Sequence, residues 1–261
     1  MLNVVLRESN KITETIFEDF QKNTDSKEFE ICDGVIVGLL EELNGKVTTL
    51  KTLLDSKSYD SLDMITRAIF ENHVYLKYIL TINTKDRATA YAKSAEINEF
   101  KLFDRVTEET KVGEELRGFI GKSIADIKAV NLSASNTSYR DQLTGDYLKL
   151  LNTTNINTQW FNEDGKTRNF EQLCIKQDLR SEYELVYRIF SKDVHSSKAL
   201  SRLKFSKNEV KVGNFNINPS LHSRISALFL MKSSRAILEY YNLKKTLKKF
   251  NTIIEINNKY K

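Results

Sequence analysis

Glu184, Arg188, Ser191 and His195 are the residues whose types and spacing could do chemistry in this chain. They lie in the run Glu184-Leu185-Val186-Tyr187-Arg188-Ile189-Phe190-Ser191-Lys192-Asp193-Val194-His195, at steps of four, three and four. At about 100° per residue, those steps line up a carboxylate, a guanidinium, a hydroxyl and an imidazole on one face of an α-helix. Leu185, Val186, Ile189, Phe190 and Val194 fall on or near the other face. Such a row can bind an anion and move a proton. It can equally be a solvated helix face, or a set of side chains in which His195 completes a structural hydrogen-bond network.

Seven helical residues separate Arg188 from His195 by about 10 Å along the axis, too far for one phosphate to bridge them within one chain. Two copies of the helix across a symmetric dimer could set one chain's Arg188 beside the other's His195. The arginine fork would then hold a phosphate and the charge developing on it, and the histidine would act as general acid or base. Ser191 would add a hydrogen bond. This is the minimal equipment for metal-free RNA cleavage by the substrate's own 2′-hydroxyl.

Arg67 and Glu71 are four apart on an earlier helical pattern that also carries Ile65, Ile69 and Leu76. They read as an ion pair on one helix face, either an ordinary surface pair or part of a polar centre shared with Arg188 and His195. Arg87 and Tyr91 fall near a helix start at Thr84, where they either pack or help hold an anion. Trp160 sits in an irregular stretch, as an anchor for that loop or as a base-stacking platform.

An arginine and a histidine separated by four to six residues, on a helix of an all-α protein, resembles the signature of the HEPN superfamily. Here six residues lie between Arg188 and His195. The run Arg67-Ala68-Ile69-Phe70-Glu71, followed late in the chain by Tyr187, Ser191 and His195, is similar to an uncharacterised bacterial helical family. This resemblance spans about residues 40–200. It implies a homodimeric, metal-independent endoribonuclease of bacterial toxin or phage-defence (abortive infection) type. Arg188 and His195 would be catalytic, with Arg67, Glu71, Ser191 and Glu184 in support, and no cofactor or metal.

Composition sets the frame that must position these groups. The 261 residues include one proline and nine glycines, too few turn formers for a β-rich domain of this size. Hydrophobic residues make up 40%, enough for a real core. Helical periodicity is expected over 10–22, 28–55, 60–82, 84–104, 107–130, 141–151, 169–195, 220–241 and 243–259, with loops at 131–138 and 152–169. Ile36, Leu40, Leu43, Val47, Leu50 and Leu54 form a seam suited to an internal core or an oligomer interface. Alternation around Lys207-Asn208 predicts a small β-hairpin at 203–213. The expected fold is thus all-α, a bundle of eight or nine helices in one domain. Residues 1–27 form an appendage, 28–195 the core, and 196–261 a basic C-terminal hairpin and helices.

Residues 196–261 hold 14 basic and 3 acidic residues, an excess that attracts polyanions such as RNA, DNA or an acidic protein. Lys244, Lys245, Lys248 and Lys249 are the candidate contacts; a plain lysine-rich surface is the other reading. Cys32 and Cys174 are too few for a disulfide framework or a zinc cluster and read as buried thiols. The chain shows no signal peptide and no apolar run of membrane-spanning length, so a cytoplasmic protein off the membrane is expected. Phosphate-loop, dinucleotide-turn, HExxH and GxSxG motifs are absent. A non-catalytic interaction protein, or a sensor of a small anion, remains the alternative function.

Overall fold

The computed structural model describes residues 1–23, 28–190, 203–207, 209–212 and 217–259. The fold is all-α with one small hairpin. In chain order the helices are α1 (Leu2–Ser9), α2 (Ile12–Lys22), α3 (Ile31–Asp55), α4 (Leu62–Thr81), α5 (Thr84–Thr107), α6 (Lys111–Ile120), α7 (Ile124–Val130), α8 (Leu132–Ser135), α9 (Thr137–Leu150), α10 (Phe170–Lys176) and α11 (Arg180–Glu182). A π-helix (Tyr183–Ile189) follows, then β1 (Leu203–Phe205) and β2 (Val210–Val212), then α12 (Pro219–Tyr240) and α13 (Lys244–Lys259). The hairpin pairs Leu203 with Val212 and Phe205 with Val210, antiparallel.

Packing divides the chain into two compact units, residues 1–84 with 171–261, and residues 85–170. In the first, the seam of α3 is core: Ile36, Leu40, Leu43, Val47 and Leu50 are fully buried. It packs on α4, which packs more extensively still on α12. Helices α1 and α2, expected in an appendage, belong to the core, because Val5, Ile12 and Ile16 are buried and the Ser9 hydroxyl joins Asn44 of α3 and Ser234 of α12. Helix α12 is not peripheral either. Its small serines, Ser226, Ser233 and Ser234, are buried, and they disguise a core helix as a polar one in sequence.

The second unit departs from expectation at residues 107–138. A single helix over 107–130 is cut at Gly121, whose left-handed backbone (φ 64°) ends α6. Ser123 then caps α7 through the Asp126 backbone, and the Asp126 carboxylate answers the Ser123 N–H. The stretch expected as a loop at 131–138 contains α8 and the start of α9, which Asn136 caps through Tyr139 N–H. The loop at 152–169 is irregular, as the spacing predicts. Trp160 anchors it, buried edge-on against Tyr91, while the Tyr147 hydroxyl donates to the Thr158 carbonyl at 2.6 Å. Arg87 is buried and paired with Glu163, so Arg87 and Tyr91 serve packing rather than an anion at the start of α5. Arg140 grips Asp104 with both terminal guanidinium nitrogens, at 2.8 and 2.6 Å.

Candidate functional site

Arg67, Glu71, Glu184, Arg188 and the four candidate lysines of α13 fall in the first unit. The helix that carries Arg188 is where sequence periodicity fails, because residues 183–189 are bonded i→i+5 rather than i→i+4. That bonding widens the turn past four residues, so side chains four apart stand in near-straight columns. Tyr183 stacks on Tyr187, with centroids 5.1 Å apart and planes 17° off parallel. Glu184 pairs with Arg188 at 3.1 Å. Val186 and Phe190 are buried, whereas Leu185 and Ile189 are 41% and 46% exposed. The last pair corrects the expected apolar back face: the wider turn carries both residues round to solvent.

Arg188 is exposed, and its bond to Glu184 raises the guanidinium pKa further above its usual range. Ser191 and His195 lie outside the described residues. Arg67 and Glu71 form the expected pair at 3.0 Å, and neither is fully exposed. The Arg67 guanidinium also lies over the Tyr187 ring, 4.1 Å from its centre. The structure thus brings Arg67 and Glu71 of α4 to the residue preceding Arg188. On the other side of Arg188, columns 180/184/188 and 181/185/189 line an open cleft of about 630 Å³, with Arg180, Ser181, Glu184, Leu185, Arg188 and Ile189 on its walls.

Lys244, Lys245, Lys248 and Lys249 are exposed on one arc of α13. The opposite side of that helix buries Phe250 and Ile254. That is an amphipathic arrangement with its cations facing water, as electrostatic attraction of a polyanion requires.

Sequence reading missed a polar seam buried between α4 and α12. The Nε2 of His222 lies 3.2 Å from Asp63 Oδ1, and Nδ1 is 2.8 Å from the Thr66 hydroxyl. The carboxylate accepts only, so in the neutral ring the proton sits on Nε2 and Nδ1 accepts from Thr66. The same ring packs on Phe190, 4.8 Å between centroids, and so supports the far end of the Arg188 segment. About two turns along α4 and three along α12, His73 Nδ1 meets the Ser233 hydroxyl at 2.8 Å, and its ring stacks on Phe229. Burial, reinforced by Lys232 and Lys77, drives the His73 pKa down to about 3. These residues are 156 and 160 positions apart, and only the parallel packing of α4 on α12 joins them.

Cys32 and Cys174 are buried and outside any disulfide, and burial pushes Cys174 up to about 12, which removes it as a nucleophile. Among the described residues no cluster of three histidine, cysteine or carboxylate side chains could hold a metal ion, and no helix is long and apolar enough to cross a membrane. No curated protein matches this sequence and no solved structure matches the chain. One family model does match, over residues 33–211, a span that includes nearly all of α3, then α4, the whole second unit, the π-helix and all but the last residue of the hairpin. The chain therefore belongs to a family of unknown function, DUF5677.

Proposed function

We propose that this protein is an HEPN-like RNA-binding protein that uses Arg188 to engage phosphate and His195 to cut the bound strand without a metal, as an effector of a bacterial defence or toxin system. The single observation that carries the binding half is the exposed Arg188 at the wall of an open cleft, on a π-helix braced by Arg67. π-Helical segments are rare and concentrate at functional sites. The lysines of α13 would add sequence-independent affinity.

The cleavage half follows from chemistry. Arg188 would neutralise the phosphate as the 2′-hydroxyl attacks, and His195 would take up or deliver the proton. The leaving 5′-oxygen is protonated and a 2′,3′-cyclic phosphate remains. Such a site reaches its full form in a homodimer, where Arg188 and His195 of two chains converge.

The test is RNA cleavage in the presence of EDTA by the native chain, Arg188→Ala, His195→Ala and the double variant. Loss of cyclic-phosphate products in all three variants supports the assignment, and equal degradation by every protein refutes it. One observation favours a second reading, a non-catalytic protein that holds a polyanion through the lysines of α13: Glu184 already pairs with Arg188. RNA bound by the native chain with no product formed would select that reading.

A further inference from the structure

The arginines of this fold use their guanidinium groups in different ways. Arg87 closes the Nε–Nη2 edge of its fork on Glu163, and Arg140 closes the Nη1–Nη2 edge on Asp104. Arg67 gives Nε to Glu71 and lies over the Tyr187 ring. Arg188 offers both oxygens of Glu184 the same terminal nitrogen, Nη1, at 3.3 and 3.1 Å. Its Nε–H and Nη2–H point the same way and form the opposite edge of the planar group. Among the described residues that edge has no partner. The Arg87 side chain is 2% exposed, whereas that of Arg188 is 69% exposed and borders the open cleft.

We propose that Glu184 is a positioning residue: it holds Arg188 by Nη1 so that the Nε–Nη2 edge is presented to the two non-bridging oxygens of one RNA phosphate. The inference rests on the reading of Arg188 as the phosphate contact. Two parallel N–H donors in a rigid fork match two phosphate oxygens, which a single donor or an ammonium cannot do. An exposed arginine must freeze several torsions before it can fork a phosphate, and one already held by a carboxylate has fewer left to freeze. The same carboxylate repels the phosphate, so hold and repulsion act on affinity in opposite senses. Chemistry separates them. Glu184→Gln keeps an oxygen that accepts from Nη1–H and drops the charge, whereas Glu184→Ala drops both.

The experiment measures binding of a fluorescein-labelled twenty-nucleotide RNA by anisotropy in EDTA, with His195→Ala as the uncleaving background. Glu184→Gln, Glu184→Ala, Arg188→Ala and the pair Glu184→Ala, Arg188→Ala are compared, with far-UV circular dichroism on each. Arg188→Ala should weaken binding about tenfold. Glu184→Ala should weaken it about fivefold, from the lost hold on the side chain. Removing an acid raises the net charge, which by itself tightens RNA binding, so that loss runs against plain electrostatics. Glu184→Gln should bind at least as tightly as the background. Once Arg188 is gone, Glu184→Ala should cost nothing further. Tighter binding by both Glu184 variants overturns the proposal and makes the carboxylate a mask over Arg188. Equal weakening by both also overturns it, as does an additive loss in the double variant, which assigns Glu184 to the fold. A Glu184→Ala protein that binds like the background while Arg188→Ala is weak overturns it and leaves the reading of Arg188 standing. If Arg188→Ala is without effect, that reading falls and the proposal with it.

Discussion

The Arg67 guanidinium sits 4.1 Å from the centre of the Tyr187 ring while its Nε donates to Glu71 at 3.0 Å. One side chain of α4 is thus the brace for the π-helix that carries Arg188. The brace is partly buried, where a cation over an aromatic face contributes about 0.5–2 kcal/mol. Arg67→Ala is expected to cost stability on that scale, seen as a lower Tm, and to weaken RNA binding although Arg67 lies beneath the ring. Arg67→Lys should recover only part of both, since a lysine cannot stack its head on the ring and fork to Glu71 at once. Unchanged RNA affinity in a folded Arg67→Ala protein would separate the brace from function.

Acid should destabilise the fold through His73. Its folded pKa is about 3 against an ordinary value near 6.5, so below pH 6.5 the unfolded chain takes up a proton that the folded one refuses. The stability from the neutral ring is complete above pH 6.5 and is lost as the pH falls toward 3, by up to about 1.4 kcal/mol per pH unit. His73→Asn keeps a polar atom where Nδ1 meets Ser233 and removes the titration. Thermal melts from pH 7 to pH 4 should fall less steeply for that variant; parallel slopes would contradict the assignment.

The Asp63–His222–Thr66 chain is fully buried, so each member is held by its partners rather than by water. Thr66→Val preserves shape but strips Nδ1 of its hydrogen-bond partner, a loss of about 1–3 kcal/mol. Denaturant titration should show a lower midpoint with an unaltered slope.

Two glycines of α6 should respond in opposite senses. A Cβ at Gly113 would collide with the Glu108 carbonyl oxygen, whereas at Gly118 it would meet open space. Gly118→Ala is expected to raise stability by up to about 1 kcal/mol through helix propensity. Gly113→Ala should lower it, because the oxygen it strikes belongs to backbone. Equal shifts in Tm would refute the close approach.

Legibility in the sequence followed the range of the interactions. The α3 seam, the hairpin and the Arg67–Glu71 pair are local patterns at regular periods, and the structure has them where spacing puts them. The π-helix is not local in that sense. Its columns at 183/187 and 185/189 are visible as a period of four, yet only the anchoring of Tyr187 by Arg67 and of Phe190 by His222 separates that period from 3.6. Periodicity at 3.6 therefore puts Leu185 and Ile189 on the wrong face. The buried seam escaped for a related reason. His73 and His222 belong to elements about 150 residues apart, and α12 spends serines where an apolar helix would spend leucines.

Where RNA touches the chain decides most directly between a phosphate-binding π-helix and a merely basic surface. RNA carrying 4-thiouridine, cross-linked to the native chain by near-ultraviolet light and mapped by peptide mass spectrometry, should mark the segment 180–190 in the presence of EDTA. Cross-links confined to the lysines of α13, with none on that segment, would contradict a site at Arg188.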